Sequence, residues 1–200
     1  TATSGPLFEP VAHLLAEHPD KSGVYALSSG LDAFGARGLL AREAAQSLDV
    51  QYYIWHGDLT GLLLLESLRE AAERGVTVRL LLDDNGISGL DPILSELNTH
   101  PHIEVRLYNP FTLRKFKMAG FLFDFLRLNR RMHNKSFTAD GLTTIVGGRN
   151  IGDEYFDTGS QPVFLDLDVL AIGNVVGDVS LDFEKYWSSA SAYLPIQWLL

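Results

Sequence analysis

The sequence contains no cysteine among its 200 residues. This absence excludes disulfide bonds, cysteine-ligated zinc sites and thiol nucleophiles, but it does not fix the cellular compartment. No window holds 18 uninterrupted apolar residues, so the sequence predicts no segment that spans a bilayer. A charged stretch followed by an apolar stretch is missing from the first residues, so either there was no signal peptide or the chain begins after one.

Repeats and low-complexity segments are also missing, and the composition is that of a folded protein. Hydrophobic residues make up 46% of the chain and charged residues 20%, which excludes an intrinsically disordered chain. A chain of 22.1 kDa is long enough for one α/β domain with its own core. We expect residues 1–21 to form a helix and linker, and residues 22–200 to form a single domain.

Acidic residues dominate the charge of the chain as a whole. The formal net charge is -9 and the isoelectric point is about 5.0, a poor match for nucleic acid, whose binding depends on neutralising phosphates. Residues 111–135, however, hold seven basic residues and one acidic residue, a net charge of +6, which leaves -15 for the other residues. This basic island predicts a localised anionic partner.

Strand and helix patterns alternate along the chain. Residues 50–55 and the apolar run at 76–82 predict strands, and Asp58 or Thr60 caps a helix between them. Such units predict a layered α/β domain around a mixed, largely parallel sheet. Further strands are predicted at 103–108, 134–139, 143–146 and 163–172, and further helices at 6–18, 32–47, 92–98 and 179–187. Residues 21–31 are predicted to form a surface loop, and residues 83–86 a turn rather than a metal site.

The residues that indicate chemistry begin at His133. Its side chain and that of Lys135 project the same way if the segment is a strand, because residues two apart share a face. An imidazole beside an ammonium can attack a phosphorus atom whose oxygens the ammonium neutralises. Asn150 can donate an uncharged hydrogen bond to the same oxygens. Gly147 and Gly148 allow backbone N–H groups to approach a phosphate, since no Cβ intervenes.

Three nearby aspartates each have alternative roles. Asp140 falls at a tight turn, where bonding its own backbone is a simpler role than direct catalysis. Asp166 and Asp168 alternate on an apolar strand and point to one face. A carboxylate there needs a partner, and either a ring N–H of a nucleophilic histidine or a neighbouring arginine would supply one. The sequence leaves open which of the two faces His133.

The order His-x-Lys-x4-Asp from His133 to Asp140, followed by Gly-Gly-x-Asn, resembles the phosphodiesterase signature of the phospholipase D superfamily. The strings at 52–56, 79–86 and 146–156 are similar to those of the bacterial cardiolipin synthase C group. The resemblance extends over about residues 22–190. It implies an α/β/α sandwich, with residues 22–200 as a phospholipase D-like half.

This resemblance implies a two-step phosphatidyl transfer that needs no metal or organic cofactor. His133 would form a phosphohistidine, and Asp166 would orient its ring. Lys135 and Asn150 would hold the phosphate, so the resemblance implies a catalytic set of His133, Lys135, Asn150, Asp140 and Asp166. A histidine from a second motif would protonate the leaving alcohol, and an acceptor alcohol or water would resolve the intermediate.

Only one such motif is present, whereas the usual chain of the superfamily has two halves that share one site. Every other histidine lacks a lysine two residues on. We interpret the chain as the N-terminal half of a cardiolipin synthase-type phosphatidyltransferase, inactive in isolation. The alternatives are a phosphodiesterase or nuclease whose site is shared by two single-motif chains, and a non-catalytic lipid-binding or scaffold domain.

Aromatic residues are concentrated between residues 111 and 128. Phe116, Phe121 and Phe125 would dip into a lipid layer if this segment is an interfacial helix with basic ends on anionic lipids. The alternative is an aromatic-rich helix packed on the sheet. The expected partners are therefore phospholipid substrates and the missing half or a second copy. The chain is expected to bind the bacterial cell membrane peripherally, and the sequence leaves the side of the membrane open. No nucleic acid is expected.

Overall fold

The computed structural model describes residues 2–110, 131–158 and 166–194. The α-helices in these ranges are α1 (Ala12–Glu17), α2 (Gly30–Glu43), α3 (Leu59–Glu73), α4 (Asp91–Leu97) and α5 (Asn174–Trp187), and Asp153–Tyr155 forms a short 3-10 helix. The strands are β1 (Ser22–Leu27), β2 (Ser47–Ile54), β3 (Thr77–Gly86), β4 (Ile103–Tyr108), β5 (Ser136–Ala139), β6 (Thr143–Gly147), β7 (Asp168–Gly173) and β8 (Ala192–Tyr193).

The eight strands form one sheet in the order β1-β7-β6-β5-β2-β3-β4-β8. The predicted α/β fold with a mixed sheet is confirmed, but the expectation of a largely parallel sheet is wrong. Only the β2–β3 and β3–β4 pairs are parallel among the described strands, and the other five pairs are antiparallel. The reason is that the second part of the chain returns through short connections such as the β5–β6 turn, which only antiparallel neighbours allow.

Helices cover both faces of the sheet. On one face α2, α3 and α4 pack around Val50 and Leu80. On the other face Phe183 and Trp187 of α5 pack with Leu81. Both faces of β3 are buried, which explains its continuous apolar run. The arrangement is the α/β/α sandwich that the resemblance implies. No helix in the described part of the chain has the length and apolar character needed to cross a membrane.

Helix α3 shows how local sequence sets an element. The Asp58 side chain accepts a hydrogen bond from the Gly61 N–H at 3.1 Å and so caps the first turn, as one of the two predicted caps. The helix ends at Glu73, and Gly75 follows with a φ of 92°, a conformation that favours glycine.

Two segments differ in kind from the prediction. Residues 21–31 do not form a loop, since they contain β1 and the start of α2. Strand β1 lies at the sheet edge with Val24 72% and Tyr25 67% exposed, so its sequence lacks the buried face that marks most strands. Residues 83–86 are not a turn but the end of β3, where Asp83 and Asp84 are fully buried.

The direction of β5 determines which residues meet at one edge of the sheet. Strand β5 runs antiparallel to β2, with Ser136 opposite Gln51. The residues that precede β5 therefore lie beyond the carboxyl ends of the parallel strands β2 and β3. This is the edge where open α/β sheets bind ligands.

Candidate active site

His133 lies in the segment just before β5, with an exposed side chain. Its ring stacks on that of Tyr53, with 4.2 Å between centroids and 31° between planes. The Nδ1 atom lies 3.3 Å from the Arg131 carbonyl oxygen. Because a carbonyl oxygen only accepts, this contact requires the proton on Nδ1. That tautomer leaves a lone pair on Nε2, which is what a nucleophilic histidine needs.

Lys135 is close to the same histidine. Its Nζ donates a hydrogen bond to the His133 carbonyl oxygen at 2.8 Å, and an ammonium has two further N–H donors. Burial lowers the pKa of Lys135, and the negative charges of Asp166 and Asp168 act in the opposite direction. The ammonium is therefore partly desolvated, which strengthens its attraction for an anion.

A cleft of about 440 Å³ joins the two side chains. His133, Lys135 and Gly147 border it on the sheet side, and Asp178 and Asp182 of α5 border it on the other. The volume is in the range of small-molecule sites. The structure thus brings three of the predicted residues around one cavity that has room for a phosphodiester.

The two aspartates on either side of Leu167 differ in role. Asp166 is exposed and its Oδ1 accepts the Leu167 N–H at 2.8 Å. Among the described residues, the hydrogen-bond partner of the His133 ring is the Arg131 carbonyl and not a carboxylate, so the expected orienting bond from Asp166 is not formed here. The charge of Asp166 acts on Lys135 instead.

Asp168 takes the arginine partner that the sequence left as an alternative. Its carboxylate forms an ion pair with Arg37 at 2.8 Å, and both side chains are almost completely buried. Arg37 also donates to the Tyr52 hydroxyl at 2.9 Å. Arg149 approaches Asp168 to 3.7 Å. This buried group fixes the end of β7 beside the cleft.

The paired glycines lie close against residues 166–168. A Cβ on Gly147 would overlap Asp168, and a Cβ on Gly148 would overlap the Asp166 carboxylate. The Gly148 N–H donates to the Leu167 carbonyl oxygen at 3.1 Å. The glycines therefore make room for residues 166–168 beside the site. In this structure the Gly148 N–H is used between the segments that adjoin β6 and β7, and phosphate binding by the paired glycines stays a prediction.

Asn150 holds a loop in place. Its Oδ1 accepts the Ile54 N–H at 3.0 Å, and its Nδ2 lies 3.4 Å from the Tyr155 hydroxyl. In the ranges that the structure describes, the lining of the cleft does not include Asn150. Its amide oxygen connects the segment after β6 to the end of β2, so this structure does not bring Asn150 onto the predicted phosphate position.

Asp140 lies at the far end of β5 from the cleft. Its φ is 55° and its side chain is buried. The carboxylate accepts the backbone N–H groups of Ala45, Gln46 and Ser47 at 3.0, 2.8 and 2.9 Å. Asp140 is five residues after Lys135, and a strand rises about 3.3 Å per residue, so the Cα atoms of the two residues are about 16 Å apart. The turn position is as predicted, but the bonded backbone belongs to the α2–β2 connection rather than to its own turn.

Sequence reasoning missed Asp83 and Asp182. Asp83 accepts the Met132 N–H at 3.0 Å, and Asp182 accepts from the Asn134 side chain at 2.7 Å. Burial raises the pKa of Asp83, against the hydrogen bonds from Asn85, Arg131 and Met132 and the charge of Arg131. The available signal was an acidic residue at the carboxyl end of a buried strand.

One group of potential metal ligands lies in the described ranges. The ligand atoms of His56, Asp58 and Glu154 are within 4.8 Å of one another. His56 Nδ1 is 3.0 Å from Glu154, while Asp58 accepts the N–H groups of Gly61 and Asp153. Hydrogen bonds therefore already account for the arrangement of these side chains. Phe116, Phe121 and Phe125 lie outside the described residues.

Residues 40–187 match the family model for the phospholipase D-like domain of cardiolipin synthase. The chain belongs to this family. It is 56% identical over 194 residues to cardiolipin synthase C of Escherichia coli (strain K12), a match that covers 97% of this chain and 41% of that protein. The family predicted from the motif is confirmed, and the chain spans about two fifths of this relative's length.

Solved structures with a similar fold support the α/β architecture described above. The phosphatidylserine synthase of Haemophilus influenzae matches with a TM-score of 0.67 at 16% identity, over 86% of this chain and 38% of that chain. NucT from Helicobacter pylori matches with a TM-score of 0.62 at 14% identity, over 87% of this chain and 98% of that chain. At these identities the likeness shows the fold alone.

Proposed function

We propose that the protein containing this chain is a phosphatidyltransferase that makes cardiolipin from phospholipid donors, and that residues 22–200 form the N-terminal half of its catalytic unit. The observation that supports this most is the shared cleft of His133 and Lys135. It occurs in a chain that is 56% identical to a cardiolipin synthase.

In the proposed first step, Nε2 of His133 attacks the phosphorus of the donor phosphodiester. The new N–P bond replaces the P–O bond to the leaving alcohol, whose oxygen takes a proton from a histidine of the second motif. In the second step the hydroxyl oxygen of the acceptor attacks phosphorus, the N–P bond breaks, and the hydroxyl proton goes to that second histidine. The same phosphorus thus changes partners twice.

The other predicted residues have supporting roles in this proposal. The Lys135 ammonium neutralises the phosphoryl oxygens as negative charge develops, and the Gly147 backbone borders the same cleft. Asp166 keeps a negative charge near Lys135 and so favours its charged form. Asn150 and Asp140 hold the two ends of the surrounding backbone through the bonds described above.

The second histidine has to come from outside this chain. We propose that it lies in the remainder of the longer protein, since the chain corresponds to 41% of the E. coli relative. A site shared by two copies of a single-motif chain is the alternative. A phosphodiesterase or nuclease built that way fits poorly with a net charge of -9.

The protein would act at a bacterial membrane surface as a peripheral enzyme, with Phe116, Phe121 and Phe125 as contacts.

The test uses the full-length protein and vesicles of phosphatidylglycerol. We expect wild type to form cardiolipin and an acid-labile phosphatidyl-histidine, and we expect His133→Ala to form neither while its circular dichroism is unchanged. His13→Ala, an exposed histidine in α1, is the matched control and should keep full activity. Turnover by His133→Ala contradicts the proposal, and cleavage of DNA in place of lipid transfer favours the alternative.

A further inference from the structure

The segment that carries the nucleophile has no strand pairing of its own. Residues 131–135 lie outside the regular elements, and sheet pairing begins only at Ser136. A loop would leave the His133 ring poorly placed, yet a catalytic group has to be held in one geometry for its reaction. The contacts that fix this segment are therefore part of the site.

Asp83 supplies the main backbone contact. It is completely buried at the end of β3, and its Oδ2 accepts the Met132 N–H at 3.0 Å. Its Oδ1 accepts from Asn85 N–H at 2.9 Å and from Arg131 Nη1 at 3.2 Å. Both carboxylate oxygens are thus occupied, and the residue that precedes His133 is held against the sheet.

A second connection runs to the ring of the histidine. The Asn85 backbone is bound to Asp83, and the Asn85 side chain donates to the Tyr53 hydroxyl at 3.3 Å. The Tyr53 ring then stacks on His133. Asp83 is therefore connected to the backbone before His133 and, through Asn85 and Tyr53, to one face of its ring.

We infer that Asp83 is a positioning residue for the proposed transfer: its carboxylate fixes the Met132 amide and thereby places Nε2 of His133 for attack. The inference rests on the proposed function, since it assumes that His133 is the nucleophile. It adds a residue 49 positions before its partner in the chain, outside the His-x-Lys-x4-Asp motif.

The conservative change Asp83→Asn tests this geometry. An amide can accept at only one of its two atoms, so either Met132 or the Asn85 and Arg131 donors lose their acceptor. A misplacement of about 1 Å at a reacting group lowers the rate about 100-fold. In the full-length protein we expect kcat to fall about 100-fold, with KM within about twofold of wild type.

The matched control is Asp49→Asn. Asp49 is a partly buried strand carboxylate that binds Arg79, which packs on Phe183 of α5, and within the described ranges it makes no hydrogen bond or ion pair with residues 131–135. We expect this variant to lose some thermal stability and to keep kcat within about threefold. The 15N shifts of the His133 imidazole should move in Asp83→Asn and stay unchanged in Asp49→Asn, which separates positioning from a general loss of stability.

A second variant covers the case in which Asp83→Asn fails to fold. Replacing the Met132 amide by an ester, through incorporation of the corresponding α-hydroxy acid, removes the N–H that Asp83 accepts and leaves the Asp83 side chain unchanged. The ester also makes the Arg131 carbonyl oxygen, which His133 Nδ1 contacts, a weaker acceptor. We expect the same fall in kcat. A folded Asp83→Asn, or a folded ester variant, with wild-type kcat and imidazole shifts overturns the inference. If His133→Ala is itself active, the proposed function fails instead.

Discussion

The two ends of strand β5 carry residues of one motif but do different work. At its start, His133 and Lys135 border an open cleft, and their neighbours Met132 and Asn134 are held by side chains from β3 and α5. At its end, Asp140 is buried and its carboxylate is occupied by three backbone N–H groups. The four residues between Lys135 and Asp140 are β5 itself. The four-residue spacing in the motif therefore equals the length of β5. It separates the end of the strand that borders the cleft from the end that holds the backbone of the α2–β2 connection.

The strongest test of this comparison is Asp140→Ala. The carboxylate is the acceptor for three backbone N–H groups, of which those of Ala45 and Gln46 belong to exposed residues that water can reach. Loss of a hydrogen bond to a charged group costs about 1.5–3 kcal/mol, so we expect the free energy of unfolding to fall by about 2 kcal/mol, measured by urea denaturation. The kcat per folded molecule should stay within twofold, and Asp140→Asn, which keeps one acceptor, should lose less stability. A stable Asp140→Ala protein without activity would break the comparison.

Lys135→Ala tests the other end of the strand. The loss of one preorganised donor to a developing negative charge raises a barrier by about 2.7 kcal/mol, so we expect kcat to fall about 100-fold in the full-length protein. The unfolding free energy should change by less than about 1 kcal/mol. Lys185→Ala, an exposed lysine on α5, is the control. The comparison is reversed if Lys135→Ala unfolds and retains its rate per folded molecule.

A smaller effect is expected from Asp166→Asn in the pH–rate profile. Burial lowers the pKa of Lys135, and the Asp166 and Asp168 charges partly raise it again. Removing the Asp166 charge lowers the Lys135 pKa further, so the ammonium is lost at lower pH. The alkaline limb of kcat should move to lower pH. Asp178→Asn, at the opposite wall of the cleft, should leave that limb in place, and an unmoved limb in Asp166→Asn argues against the assignment.

The parts of the fold that sequence reasoning predicted are those with a local signal. The β2–α3–β3 unit was predictable because burial on both faces of β3 produces an unbroken apolar run, and because Asp58 and Gly75 mark the ends of the helix. Strand β1 was not predictable in this way. It is exposed on both faces, so its side chains follow no apolar pattern.

The residues of the candidate site also differ in whether a local sequence signal marks them. His133 and Lys135 were predictable as a pair because they are two residues apart. The partners of Asp83 and Asp140 lie 49 and about 94 residues away, so the sequence could not show that one holds the nucleophile segment and the other holds the α2–β2 connection. The close approach of residues 166–168 to Gly147 and Gly148 could not be read from the sequence for a similar reason, since about 20 residues separate them in the chain.

The buried pair of Arg37 and Asp168 links residues that are 131 positions apart. A ribosome makes helix α2 long before it reaches β7, and a guanidinium is unfavourable to bury without its counter-ion. We expect helix α2 to complete its docking only after residue 168 has been made, although Tyr52 and Ala33 can bind Arg37 earlier. The cleft of His133 and Lys135 should consequently form late in folding. A nascent chain that is halted before residue 168 would lack a carboxylate whose charge acts on Lys135.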